Sequence, residues 1–544
     1  MSGRRTPKSR AHASDGRRSA APNTAARDAD ARSTAALGTD VQGTDVLISG
    51  GGLTGLTAAL VLRHHGVPVT VVEKRSTTSP QPKARRFHVR SMEIFRELGL
   101  AGLVHEAARD LAGHDHMAQG RTLAEAEQLP LWLPAGAGGA APDISPEPPC
   151  LIAQDTLEPV LRAAAVDAGA TVRFDTELLG FDQDDEGVRA ELLDRTDGSR
   201  HRVEARYLVA ADGARSPVRE ALGIGRSGEG AIGGPNVNVY FHADLAATVR
   251  GREFNLCQLD HPDAPPGALA SVDGRRRWLY MSQGGEPDRD WPAVLRTVLG
   301  VPAPDLDVLS VLPWQAEMLV ADRYSVGRVH LAGDAAHVMP PFAASGANTG
   351  IADAHNLGWK LAAVLRGEAA PALLDSYGAE RRPAGWFIAE QSARRMASFP
   401  NFGTAPDPTL AHPFVFAAGG FQHTEGALVS DPATADDPEP VTEFAPAGRV
   451  GTRVPHRWLD DARTRSTIDL AGPGWSVLAG PEAAAAPRTG GLPLHRHDVD
   501  FLPAGQCLLL RPDHIVAWRG TDPDAAAEVR DGLLRATAAS TATV

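Results

Sequence analysis

Thr44-Asp-Val-Leu-Ile-Ser49-Gly50-Gly-Gly52-Leu53-Thr54-Gly55-Leu56 opens a stretch that closes, after an Ala/Leu/Val-rich segment, with Val69-Thr-Val-Val72-Glu73-Lys74-Arg75. Val46, Leu47 and Ile48 form the short apolar run that a strand buried in a parallel sheet requires. Gly50, Gly52 and Gly55 then make G-x-G-x-x-G at a strand-to-helix turn. The first glycine permits the turn, the second lets backbone approach a pyrophosphate, and the third lets helix and strand pack closely. Leu56 to Arg63 reads as the helix body, its N-terminal N–H groups aimed at phosphate, and Gly66 stops it. Val69–Val72 reads as the second strand. It ends in Glu73, at about the 20-residue offset where a carboxylate grips a ribose hydroxyl and excludes a 2′-phosphate. The turn predicts a dinucleotide site for FAD or NAD. Leu53 and Thr54 within it, and Lys74 and Arg75 beyond the acid, join the candidate binding set. A lone glycine pattern is weak, but here a strand, a helix and a second strand ending in an acid surround it.

At 544 residues the chain has length for two or three domains. A formal net charge of −13 and no dense Lys/Arg stripe beyond the first 43 residues argue against a nucleic-acid partner. No apolar run reaches the roughly 20 residues of a membrane-spanning helix. Cys150, Cys257 and Cys507 stand far apart in no metal-ligand spacing, so the reading is plain thiols, no metal, and a reducing cytoplasm. Residues 1–43 lack hydrophobic periodicity and read as a disordered basic tail. Arg4-Arg5 is followed by no apolar segment, so it is no export signal.

Pro82-Lys-Ala-Arg85-Arg86-Phe-His-Val-Arg90-Ser91 places cations before an amphipathic helix, for which Ser91 reads as the N-cap. Gln154-Asp-Thr-Leu-Glu158 opens a helix running to Ala168. Tyr207-Leu-Val-Ala-Ala-Asp212-Gly213 is an apolar strand ending in Asp-Gly, at the sheet edge where open α/β sheets bind ligands. From Gly223 to Trp314 the pattern turns to period 2, predicting antiparallel strands. Arg328-Val-His-Leu-Ala-Gly333-Asp334-Ala-Ala-His337-Val-Met-Pro340-Pro341 is a strand ending in Gly-Asp. Ala343-Ala344-Ser345-Gly346-Ala347-Asn348 then enters a long helix. Asp334 can bind ribitol hydroxyls, and the N–H groups of that helix start can stabilise negative charge on a flavin pyrimidine.

Taken together these segments resemble the single-component, FAD-dependent aromatic hydroxylases typified by para-hydroxybenzoate hydroxylase, closest to the three-domain polyketide and phenol hydroxylase branch. Roughly residues 44 to 520 carry the resemblance. It implies an α/β fold: a Rossmann-like FAD-binding domain over 44–222 and 315–400, and an inserted antiparallel substrate sheet over 223–314. A connector over 401–445 and a thioredoxin-like C-terminal domain over 446–544, lacking CxxC, complete it. It implies non-covalent FAD, with NAD(P)H as a transient electron donor because no second G-x-G-x-x-G appears. O2 would be activated as a C4a-hydroperoxyflavin that hydroxylates a phenolic, polyketide-type substrate with several rings. Arg85, Arg90, Gln154, Leu178, Asp212, Gly333, Asp334, Gly346, Ala347 and Asn348 are its further implied cofactor contacts. Arg85, Arg86, Pro341 and Ser345 would border the reacting centre. Tyr240, His242, Gln258 and Tyr280 are the polar groups sought on the substrate sheet. His337 reads as loop structure before proton transfer. Arg86 and Ala343-Ala344-Ser345 depart from the family pattern, where glycine-containing segments are usual. Baeyer–Villiger insertion, epoxidation, single-ring phenol hydroxylation and a non-oxygenating flavin protein stay open as alternatives, as do monomer and homodimer.

Overall fold

In the computed structural model, residues 42–129, 143–303, 305–397, 422–429, 448–483 and 494–535 are described, with positions 410, 411, 415 and 419 besides. The tail over 1–41, most of the Pro/Gly-rich segment after Leu129 and most of the 401–445 connector lie outside them.

The first strand, Gln42–Ser49, sits in the middle of a parallel sheet. Val69–Val72 and Arg200–Ala210 flank it in parallel, with Thr171–Arg173 and Val329–Leu331 beyond. Val46, Leu47 and Ile48 are wholly buried, as helices on both faces demand. Helix Leu53–His64 crosses between the first two strands and ends two residues before Gly66, whose φ is +78°. Val188–Asp194 and Thr176–Gln183 extend the sheet antiparallel from Arg200–Ala210.

An eight-stranded sheet stands against this layer, in the order His337–Val338, Asp307–Ala321, Arg226–His242, Arg277–Gln283, Gly267–Ser271, Leu256–Leu259, Met117–Gly120, Glu127–Gln128. Four of these strands differ from the 223–314 reading, His337–Val338 among them. Asp307–Ala321 runs on past Trp314, and Met117–Gly120 and Glu127–Gln128 come from far upstream. Met117–Gly120 pairs in parallel with Leu256–Leu259. A four-residue strand shows no periodicity until its partner is known.

The long helix Ser345–Leu365 packs against Leu53–His64 and Asp375–Ala397, and the latter also touches strand Asp307–Ala321 of the antiparallel sheet. The C-terminal unit is a mixed sheet ordered Leu494–Asp498, Trp475–Ala479, Cys507–Leu510, Val516–Gly520, backed by helix Pro523–Arg535, the pattern of a thioredoxin-like domain. No helix of the described residues is long and apolar enough to cross a membrane.

Three buried histidines make the fold acid-sensitive. Burial is the main cause that pushes His65 down to about 3, His330 to about 4 and His423 to about 3. Unfolded histidine titrates near 6.5, so on acidification the unfolded chain binds protons first. Stability is full above that pH and falls as pH drops toward 4, by up to about 1.4 kcal/mol per pH unit for each histidine. Melting temperatures at pH 7.5, 6.0 and 5.0 should descend in that order; equal values would refute the reading.

Candidate active site

A cleft of about 2360 Å3 opens between the carboxyl ends of the parallel strands and one face of the antiparallel sheet. Small-molecule pockets commonly measure about 300–1,000 Å3. This one has room for a large cofactor and a second molecule together.

The glycine turn forms one wall, and its three glycines differ in what surrounds them. Gly50 has φ +109°, and a Cβ there would lie 2.2 Å from the Ala211 carbonyl oxygen. At Gly55 a Cβ would come within 1.9 Å of the Gly50 oxygen. At Gly52 nothing lies closer than Glu158 Oε1, at 3.6 Å. Two of the glycines are therefore required by the protein itself, whereas the middle one faces open cleft where a pyrophosphate backbone would lie. Glu73 braces the turn: its Oε2 accepts from the Gly51 N–H at 2.9 Å and its Oε1 from the Arg75 N–H at 3.0 Å. A carboxylate has lone-pair sites beyond these two, so ribose hydroxyls can still be accepted.

Two further acids face the cleft. Asp212 accepts from the Val218 N–H through Oδ2 at 3.2 Å, while its buried Oδ1 has no partner among the described residues. Burial pushes its carboxyl upward. Asp334 stands exposed in the cleft, open to a ligand's hydroxyls. The Gly333-Asp334 turn is held from behind. Gly333 has φ +61° and donates its N–H to Asp353 Oδ2 at 3.1 Å. His337 Nε2 contacts the same oxygen at 2.6 Å, and Arg381 Nε donates to Oδ1 at 2.8 Å. His337 is buried outside the cleft lining, so its place is structural. Thr54 Oγ1 would lie 2.4 Å from a Cβ at Gly333 and at Gly350, which locks the first helix to the turn and to the long helix.

The arginine segment crosses between the two sheets. Arg85 reaches the antiparallel sheet, where Nη2 donates to the Asn255 carbonyl at 3.0 Å, to Asn255 Oδ1 at 3.1 Å, and to the Ser271 carbonyl. No carboxylate pairs with it among the described residues, and burial lowers its pKa to about 10. The residue lines the cleft, while its buried Nε has no partner among the described residues. The result is a fixed cation available to an anion. Arg86 is more exposed and lies 4.0 Å from Asp115. Gln154 holds the segment in place, accepting from the Ala84 N–H at 3.2 Å and donating to Glu158 Oε1 at 2.7 Å. Glu158, which sequence reasoning left without a role, also accepts from the Ser79 N–H at 2.7 Å.

Gly50, Gly52, Leu53, Thr54, Glu73, Lys74, Arg75, Arg85, Arg86, Gln154, Leu178, Gln258, Asp334, Pro341, Ser345, Gly346 and Ala347 all line this one cleft, as does Asp212. Gly55, Gly333 and Asn348 stand behind it. Asn348 is fully engaged as a clamp: Oδ1 accepts from the His88 N–H at 2.8 Å and from Ser91 Oγ at 2.6 Å. That bond diverts Ser91 from capping, and the helix begins at Val89 with His88 as its N-cap.

Arg90 turns away from the cleft toward the C-terminal unit, against the expectation. Its Nη1 donates to His514 Nδ1 at 2.7 Å, and its Nη2 to His355 Nδ1 at 3.2 Å and to the Asp513 carbonyl at 2.9 Å. A guanidinium only donates, so both Nδ1 atoms accept and both Nε2 atoms carry hydrogen. Those face Glu97 Oε2 at 2.8 and 2.9 Å. Glu97, His355 and His514, the three potential metal ligands, are thus drawn together with Arg90 as a latch between domains, in which His355 hydrogen-bonds Glu97 and His514 Nε2 stands in close contact with it.

Three of the four polar groups sought on the sheet also lie elsewhere. Tyr280 is on the opposite face, buried, donating to the Pro265 carbonyl at 2.6 Å. Tyr240 is covered by the start of helix Gln154–Asp167 and reaches Asp155 at 3.4 Å. His242 packs beside Tyr240 at 6.4 Å between rings, outside the lining. Period 2 assigned them to faces only relative to one another; which face meets the cleft is a tertiary fact. Gln119 and Trp314, which do line it, were missed, the first because its strand is short and distant in sequence.

The family model for an FAD binding domain matches residues 43–392, and that for the aromatic-ring hydroxylase C-terminal region matches residues 447–539. Tetracenomycin A2 monooxygenase-dioxygenase of Streptomyces glaucescens is 39% identical, over 92% of this chain and 97% of its own. Aklavinone 12-hydroxylase DnrF of Streptomyces peucetius is 40% identical, over 81% and 92% respectively. Among solved structures, aklavinone-11 hydroxylase in ternary complex with FAD and aklavinone superposes with a TM-score of 0.77. It is 31% identical and covers 91% of this chain and 98% of that one.

Proposed function

This chain belongs to the FAD-dependent aromatic-ring hydroxylases, and from that membership we propose that it hydroxylates a phenolic, polyketide-type compound of several fused rings. NAD(P)H would serve as electron donor and O2 as the oxygen source. The observation that carries the reading is the single cleft joining the glycine turn, Glu73, Asp212 and Asp334 to an uncharged sheet face. The relatives named above are by name tetracenomycin and aklavinone oxygenases, and further relatives from Streptomyces halstedii and Streptomyces coelicolor are named putative polyketide hydroxylases, which agrees with that face and with the cleft's size.

Bound FAD would supply the redox chemistry and oxygen activation. The chain's share is binding, orientation and charge. Glu73 and Asp334 would hold the ribose and ribitol hydroxyls. The N–H groups at the start of Ser345–Leu365 and the Arg85 cation favour negative charge beside them. Pro340, Pro341 and Phe342 wall the cleft next to Ser345 and help to exclude water. Ala344, at φ +53°, sets this helix start where glycine is usual in the family. Three free, buried cysteines suit a reducing cytoplasm.

Purified protein should release a yellow flavin on denaturation. A tetracyclic phenol should stimulate NAD(P)H oxidation and gain one oxygen atom from O2. Stimulation by a single-ring phenol alone would move the chain among phenol hydroxylases; ring expansion or an epoxide would select those alternatives. Glu73→Ala and Asp334→Ala should each weaken flavin binding by about 1–3 kcal/mol through lost charge-assisted hydrogen bonds. Wild-type titration curves for both would displace the cofactor from this cleft.

A further inference from the structure

The strand register of the antiparallel sheet turns its cleft face into a ruler. Gln119 pairs with Gln258, Gln258 with Ala268, Ala268 with Met281, and Met281 with Asn238. One row of side chains on a single face therefore runs across five strands. Carboxamides occupy both ends, and Ala268 and Met281 lie between them. Leu256 and Leu279 come from the neighbouring row and widen the apolar floor. At the far end Trp314 lies beside Asn236 in register and donates its Nε1–H to Asn238 Oδ1 at 2.8 Å, which occupies that amide's oxygen. Among the described residues the Gln119 and Gln258 side chains have no protein hydrogen-bond partner, and both line the cleft. Strands lie about 4.8 Å apart, so Gln258 and Asn238 are separated by three spacings, about 14 Å.

This sheet offers the cleft no titratable side chain among its described residues; the nearest fixed charge, Arg85, arrives from another segment and is tied to Asn255 and Ser271. A carboxamide both donates and accepts, and so suits a neutral carbonyl or phenol oxygen rather than a carboxylate. We propose that Gln258, with Gln119 beside it, is the specificity-determining anchor. It binds an oxygen on the substrate ring remote from the Trp314 end, across an apolar floor that takes the fused rings. The inference rests on the polycyclic reading above and names the residues that read the substrate's length.

The test uses flavin-loaded enzyme and two tetracyclic phenols that differ only in an oxygen on the terminal ring. Binding is read from the perturbation of flavin absorbance, and turnover from NAD(P)H oxidation. Gln258→Leu and the double variant Gln119→Leu/Gln258→Leu should raise the Kd for the oxygenated compound by about ten-fold, the scale of one or two neutral hydrogen bonds. The compound lacking that oxygen should bind wild type and variants alike. Gln258→Asn, which keeps the amide on a shorter stem, should recover part of the loss. Equal Kd values for wild type and Gln258→Leu with both compounds would overturn the anchor, and so would equal losses with both. If wild type binds neither tetracycle, the polycyclic reading itself fails, which the single-ring arm of the earlier assay registers separately.

Discussion

Glu380→Ala should cost about 3–5 kcal/mol of stability, the largest loss expected of any single substitution considered. Glu380 lies on helix Asp375–Ala397 and is wholly buried. Arg511, from the C-terminal unit, donates to both of its oxygens at 2.8 Å. Asn356 Nδ2 and the Ala427 N–H add bonds at 2.7 and 2.8 Å, and Lys360 Nζ stands 2.9 Å away. Asp513 shares Arg511, so two acids and two cations nearly balance out of reach of water. The cations hold the Glu380 carboxyl far below its ordinary range although burial alone would raise it, and burial pulls Lys360 down to about 8. Removing the carboxylate strands Lys360 and takes from Arg511 one of its two acids in a low-dielectric interior, where the uncompensated positive charge dominates the cost. Urea unfolding monitored by Trp359 and Trp475, which meet edge-to-face at 5.7 Å across this interface, would measure it. A loss below about 1 kcal/mol would mean that water reaches the network.

Gly55→Ala and Gly52→Ala should separate the fold's demand for glycine from the cofactor's. At Gly55 the added methyl would meet the Gly50 carbonyl oxygen at 1.9 Å and Ile48 Cγ2 at 3.3 Å. Backbone must move, at a cost of about 3 kcal/mol, and the turn loses its shape for any ligand. At Gly52 the nearest protein atom is 3.6 Å away and φ is −86°, which alanine adopts freely. The apoprotein should therefore melt like wild type, while flavin affinity falls by about ten-fold or more, roughly 1.4 kcal/mol. Thermal melts of apoprotein and flavin fluorescence titrations give the two readouts. A Gly52→Ala variant that titrates like wild type would remove the pyrophosphate from this turn. A Gly55→Ala variant of unchanged stability would contradict the packing of strand on helix.

What the chain order alone determined are features whose physics is local. A buried strand, a glycine turn and a helix follow within about twenty residues, and each has a reason readable from neighbours: apolar run, positive φ, N–H groups at a helix start. The same holds for the strands that end at Asp212 and at Gly333-Asp334, so the cofactor-domain fold and the acids that line its cleft were legible. Tertiary structure decided the remainder. Arg85 and Arg90 sit in one basic run, yet one spans to the substrate sheet and the other latches the C-terminal domain, because their partners lie 170 and more than 400 positions away. Ser91 has the chemistry of a helix cap but gives its hydroxyl to Asn348. Tyr240, Tyr280 and Gln258 share a period-2 pattern. Only the docking of the sheet against helix Gln154–Asp167 says that Gln258 faces the cleft while the tyrosines serve the packing. Gln119 joins Gln258 through pairing of two four-residue strands 139 positions apart, and no local preference encodes a contact of that range.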